Sequence, residues 1–293
     1  MNGFVLRVIA MVTMLIDHIG WNFLDNSMIL TWIGRIAFPL YAFLLAEGFL
    51  IIYHDKERFS KHLAIMLILT AVSFPGYALL EERLDFAHYL DSQSNMITLL
   101  IGYFGMMATE TLAPSALSAT AGRTASAGRA ASAAAAASAA HAGKDRPSGM
   151  KIAALVVTYV LLGLANYMMK GNFNIVGPLL VIAYYWVIRV SKQSARDGKP
   201  WSWGRRLAVN ILIFAIYLPV YFWVRSGFGG PALWWKEVLD YAPWIVGHVI
   251  AAVIISLYNG ELGYHEKWFR RLYTSFYPAH TFVIGLICVL TGR

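Results

Sequence analysis

The chain has 293 residues, of which 58% are apolar or aromatic and only 14% are Asp, Glu, Lys or Arg. A soluble domain carries roughly 25% charge, so an ordinary water-soluble fold is excluded, and the mean hydropathy of +0.56 agrees. The net charge of +8 raises nucleic acid as a partner, and the single cysteine, Cys288, excludes an internal disulfide and a cysteine-rich metal site.

Apolar runs long enough for a hydrocarbon core of about 30 Å recur along the chain. They predict spans near 4–24, 29–53, 60–80, 95–112, 150–169, 172–191, 205–225, 241–258 and 271–291. The first is expected to stay as a membrane helix and not to be a cleavable leader, because Arg7, Asp17 and His18 interrupt it and no small-residue cleavage site follows. The expected fold is therefore all-α: a polytopic membrane bundle of about nine transmembrane helices. Between the fourth and fifth spans, residues 113–149 hold 16 Ala and 6 Ser in 37 positions. Such a segment cannot bury enough surface to order itself. It is expected to be a disordered cytoplasmic linker between one set of helices (1–112) and another (150–293).

The basic residues predict orientation. Eighteen of the 24 Lys and Arg fall at Arg7 and in alternate loops, around 56–61, 123–151, 189–206 and 267–271. The opposite loops hold only Arg83, Lys170, Arg225, Lys236 and Arg293, and Arg35 lies within a span. Cytoplasmic loops carry the excess, so the N-terminus is expected inside and the C-terminus outside. The charge is then a matter of topology, and no nucleic-acid partner is expected.

Ionisable side chains inside a membrane helix are costly and raise a functional hypothesis. In the first span, eleven steps from Arg7 to His18 come to three turns plus about 20° and a rise of roughly 16 Å, so the two share a face. That distance resembles the length of a phosphopantetheine arm. An arginine grips phosphate by paired, charge-assisted hydrogen bonds, and a histidine can serve as general base. Asp17 stands beside His18. The second span carries Arg35 near its outer end and Glu47 nearer the cytoplasm, with Pro39 depriving the Arg35 carbonyl of its donor. A structural pairing of Arg35 with Asp17 is equally open. The last spans contribute His248, the loop Tyr258-Asn259-Gly260-Glu261-Leu262-Gly263, and His280 behind Pro278. His18, His248 and His280 fall at one depth, but without short ligand spacing, and no metal is expected. There is no GxSxG, GxxxxGK or GxGxxG motif.

Four blocks carry a family resemblance: MLIDHIG (Met14–Gly20), GRIAFPLYAFLLAEGF (Gly34–Phe49), YNGELG (Tyr258–Gly263) and FYPAH (Phe276–His280). In that order they resemble the TraX family of conjugative-pilus acetylases. The spacing of Arg7 and His18 also resembles the first helix of acyltransferase type-three membrane proteins. Val72-Ser73-Phe74-Pro75-Gly76 follows the family's Ser-x-x-Pro-Phe stretch only loosely, and no role is carried onto it.

The resemblance implies a bacterial inner-membrane acetyltransferase with acetyl-CoA as co-substrate. The implied acceptor is the N-terminal amine of a pilin subunit, otherwise a surface glycan hydroxyl or amine. Arg7 is then expected to hold CoA phosphate and His18 to act as base, with Asp17, Glu47 and His280 orienting it or sharing its proton. Arg35 or the Asn259 amide is expected to offset oxyanion charge, with Glu261 in the same donor-binding group. The alternative is a proton-coupled transporter or flippase with Asp17, His18, Glu47 and His280 as relay. The absence of an internal repeat counts against it.

Overall fold

The structure, a computed structural model, describes residues 1–24, 28–81, 94–113, 149–171 and 173–292. The expected linker at 113–149 falls outside them except for its two end positions. Every regular element described is a helix: α1 (Gly3–Phe23), α2 (Met28–Gly34), α3 (Ala37–Ile52), α4 (Lys56–Glu81), α5 (Asn95–Leu112) and α6 (Gly149–Met168), then α7 (Val176–Arg196), α8 (Trp203–Arg225), α9 (Pro231–Asp240), α10 (Ala242–Ser256) and α11 (Lys267–Thr291).

Six of these units are long and apolar enough to cross a membrane: α1, α2 with α3, α4, α6, α8 and α11. The count rises to seven if the pair α9–α10, bent by 65° where the two meet, is taken as one broken span. The chain is thus a multi-pass helical membrane protein. Two helices expected as spans, α5 and α7, fall outside this set. The last turns of α7 carry Arg189, Lys192 and Arg196, and α5 ends in Thr109-Glu110-Thr111.

Side-chain pairs fix the directions. Phe4 lies tilted against Phe269 (4.7 Å between centroids), Arg7 lies over Tyr273 and Cys288 reaches Asn22, so α1 and α11 run parallel. Gly76 faces Thr281 and Gly285 faces Leu80, so α4 runs the same way. Phe38 and Phe43 of α3 meet Phe173 and Tyr184, and Gly102 and Glu110 of α5 meet Val181 and Tyr185, which makes α3, α5 and α7 parallel to one another. One end of the bundle therefore gathers the basic segments at 56–61, 189–206 and 267–271; the other holds Lys170, Arg225 and Lys236. We refer to the first as the basic end.

Two departures from the expected helices shape the site. The second span is broken at Arg35 and Ile36, four residues before Pro39, whose ring cannot supply the donor that the Arg35 carbonyl needs. The stretch before α10, expected as an outer loop, holds the short helix α9, which starts on Pro231 and buries none of its residues. The break between α2 and α3 is where α10 docks. A Cβ added at Gly247 would stand 2.5 Å from the Trp32 carbonyl oxygen and 2.8 Å from Arg35 Cβ.

That contact generates a paired test. Gly247→Ala should destabilise the bundle by about 1–3 kcal/mol, the usual cost of overpacking. Gly48→Ala, which meets nothing within 4 Å, should be neutral or gain up to about 1 kcal/mol from helix propensity. Thermal unfolding in one detergent checks both; equal shifts would contradict the docking.

Candidate functional site

The parallel contact of α1 with α11 brings the first and last motif blocks together. His18 Nδ1 and His280 Nε2 are 2.8 Å apart, both residues are buried, and the rings stack at 4.9 Å. His280 Nδ1 lies 2.7 Å from the Phe276 carbonyl oxygen. A carbonyl only accepts, so in two neutral rings the protons are assigned. His280 donates from Nδ1 to Phe276, its Nε2 is left as acceptor, and His18 donates to it from Nδ1. His18 Nε2 then carries the lone pair. Asn22 donates to the His18 carbonyl at 2.8 Å and reinforces this turn of α1.

His18, and not His280, lines a cavity of about 480 Å³ at the end opposite the basic one. Asp17, Arg35, Trp32, Tyr221, Arg225 and Trp244 are among its walls. Arg35 is held in two ways: its guanidinium lies 3.7 Å from Asp17 Oδ1, and its Cζ sits 3.9 Å above the Trp244 ring. The expected pairing with Asp17 is therefore present. It is too long for a hydrogen bond, and Asp17 Oδ1 and Arg35 Nε are buried without one. Arg225 donates to Glu237 at 2.8 Å and to the Tyr241 hydroxyl. Aromatic rings flanking Arg35, Arg225, Asp17 and Asp240 can hold a polar group against an apolar one.

A second cavity of about 260 Å³ lies at the basic end, walled by Glu47, Lys192, Trp201, Arg206, Asn210, Tyr258 and Asn259 among others. This corrects several sequence expectations. Glu47 is not with His18: it accepts a 2.7 Å hydrogen bond from the Tyr258 hydroxyl. Asn259 lies in the same region, at the far end from His18. Its side-chain amide donates to Glu261 at 2.8 Å, and its own N–H donates to the Met1 carbonyl. The Glu261 carbonyl accepts from Gly3 N–H at 2.7 Å. Asn259 and Glu261 thus fasten the start of α1, and the Asn259 amide is in no position to meet an oxyanion at His18. Arg7 is in the lining of neither cavity; its guanidinium lies 5.7 Å from the Tyr273 ring centre. His248 also stands apart from the other two histidines, its Nδ1 2.8 Å from the Trp244 carbonyl oxygen. No group of three or more His, Cys, Asp or Glu able to hold a metal occurs among the described residues.

Along the chain between residues that line the two cavities, the hydroxyls of Tyr41, Tyr184 and Tyr217 and His248 Nε2 are buried without hydrogen-bond partners. An unpaired buried polar group costs about 1–3 kcal/mol. The Tyr217 and His248 rings lie 5.7 Å apart.

Sequence reasoning missed Arg225, Tyr221 and Tyr241 at the His18 cavity and Lys192 and Arg206 at the other. Each reads as an interfacial aromatic or a topogenic charge, and only the packing draws it inward.

A multi-pass helical membrane protein with a buried histidine pair and a cavity at each end is what the fold and site define. The chain belongs to the TraX family, which it matches over residues 2–288. It is also 27% identical over 115 residues to the probable fimbrial assembly protein FimC, serogroup H1, of Dichelobacter nodosus. That stretch is 36% of this chain and 46% of the relative, so the match spans less than half of that protein. No solved structure matches the chain.

The proton assignment can be read directly. In protein carrying ¹⁵N-histidine, the His18 resonance should report a proton on Nδ1 and a bare Nε2 at neutral pH. His280→Phe should return it to a mixture of tautomers. A proton on His18 Nε2 in the wild type would contradict the assignment.

Proposed function

We propose that the protein is a membrane-embedded acyltransferase that moves an acetyl group from cytoplasmic acetyl-CoA to an extracytoplasmic acceptor. The observation that carries this reading is the buried His18, held in one tautomer by His280, in the wall of a cavity that also presents Arg35. His18 Nε2 takes the proton of the attacking amine or hydroxyl as the new C–N or C–O bond forms to the thioester carbonyl. His280 Nε2, accepting from His18 Nδ1, favours the charge that His18 gains. Arg35 offsets the oxyanion of the tetrahedral intermediate, since preorganised charge in a dry site is strongly stabilising. When the C–S bond breaks, His18 returns its proton to the departing thiolate.

Family membership supports the N-terminal amine of a pilin subunit as acceptor, and so does the printed name of the fimbrial assembly relative. A surface glycan hydroxyl or amine is the second choice. The asymmetry of basic residues supports the bacterial inner membrane, nine crossings, the basic end in the cytoplasm and the His18 cavity facing outward. Cavities at both ends also suit a proton-coupled transporter, which would consume no thioester.

Two measurements test this. Purified protein should consume acetyl-CoA in the presence of an acceptor amine, and His18→Ala should lower kcat by about 10²–10⁴-fold, as loss of a general base does. Wild-type turnover in folded His18→Ala protein would remove the base. Cysteines placed at Lys199 and Gly230 should differ in intact cells, where an impermeant thiol reagent should label only the second. The native Cys288 is buried and gives little background. Labelling at Lys199 alone would invert the orientation.

A further inference from the structure

The four charged residues in the wall of the His18 cavity are unevenly paired. Arg225 is committed to Glu237, which is not part of the wall, and to the Tyr241 hydroxyl. Arg35 faces Asp17 at 3.7 Å. Asp240 has neither an ion pair nor a hydrogen bond among the described residues, and Lys236, one helical turn before it, does not pair with it. One carboxylate of the wall is therefore uncompensated. Asp17 Oδ1 adds a buried acceptor without a hydrogen bond.

Stability does not explain the place of Asp240. It is the last residue of α9, where helix carbonyls concentrate partial negative charge and an acidic side chain is unfavourable. The helix buries none of its ten residues and bends by 65° from α10. Polar contacts hold it instead. Arg225 reaches Glu237 and Tyr241, on either side of Asp240 in the chain, and its Cζ lies 4.0 Å from the Tyr241 ring centre. Trp234 donates to the Pro219 carbonyl at 3.0 Å. Arg225 is thus a positioning residue: it fixes the segment 237–241 and leaves the Asp240 carboxylate free at the cavity. That carboxylate, the carbonyl end of α9 and the bare Asp17 oxygen all favour a cation.

We infer that Asp240 selects the acceptor, binding a primary amine in its protonated form and passing over a neutral hydroxyl. The inference rests on the acyl transfer proposed above and decides between the two acceptors named there. An α-amine with a pKa of about 8 arrives charged at neutral pH, and an ammonium has no lone pair with which to attack. Two protons must therefore leave the nitrogen. The first passes to Asp17 Oδ1 and from there to solvent. The second passes to His18 Nε2 as the C–N bond forms, and on to the thiolate when the C–S bond breaks. The products are an amide, a thiol and one released proton, so atoms and charge balance. The amide is neutral, loses its attraction to Asp240 and departs.

The test uses the full chain in nanodiscs of zwitterionic lipid. The probes are a short peptide with a free N-terminal amine and its analogue with a hydroxyl in place of that amine. In equilibrium binding without acetyl-CoA, the wild type should prefer the amine by about tenfold, the value of one charge-assisted contact. Asp240→Asn should erase the preference by weakening the amine peptide alone, and Asp240→Glu should restore most of it. The melting temperature of Asp240→Asn should be unchanged or slightly raised, since an acidic group leaves a helix C-terminus. In turnover, Asp240→Asn should raise KM for the amine peptide about tenfold and leave kcat unchanged. Equal binding of the two peptides by the wild type, or a preference that survives in Asp240→Asn, would overturn the assignment and leave the transfer intact. A fall in kcat with KM unchanged would overturn it as well. An Asp240-dependent preference in a wild type that consumes no thioester would support the ammonium site and sink the transfer.

Discussion

The hydrogen bond between His18 and His280 joins the first and last helices of the bundle deep in an apolar core. A buried imidazole without a partner is costly, and each ring here satisfies the other only if one accepts where the other donates. The Phe276 carbonyl breaks that symmetry. It commands the His280 proton, His280 commands that of His18, and the cavity wall receives a histidine in one defined state. The parallel run of α1 and α11, pinned at the basic end by the 257–263 loop and by Phe4 on Phe269, sets this register. A slip of one residue would rotate His18 by about 100° and empty the pair.

Around that pair the polar groups are sorted by depth. Charges partnered by aromatic faces or carboxylates line the His18 cavity, and Lys192, Arg206 and Glu47 line the other. The hydroxyls and imidazole that no protein group satisfies lie between them. Apolar packing would have been cheaper at Tyr184, Tyr217 and His248, since Phe and Leu fill similar space without an unpaired atom.

The helices were legible because membrane burial writes itself as long apolar runs, and the bend before Pro39 follows from one missing N–H. His18, Asp17, Arg35 and His280 were legible as a set because charge and imidazole are rare in such runs. Glu47 was just as conspicuous, and its partner could not be read. Nine residues separate it from Phe38 on α3, enough to carry it to the second cavity and to Tyr258. Arg7 shares a helix face with His18, yet that face packs on α11, where Tyr273 covers Arg7 and His280 meets His18. Asn259 and Glu261 read as chemistry in sequence and serve as fasteners in the structure, because their partners are the backbone of the first three residues. Helix α9 was missed because only Trp234 and Val238 of its ten residues pack, half-buried, against the core.

The proposed acyl transfer requires donor and acceptor to approach His18 from opposite faces of the membrane. Inverted vesicles with the basic end outward, loaded with an acceptor peptide or amine in the lumen, give the most direct measurement. Radiolabelled acetyl-CoA added outside should acetylate the enclosed acceptor, and His18→Ala vesicles should not. Label appearing only on acceptor mixed with the acetyl-CoA outside would contradict transfer across the bundle.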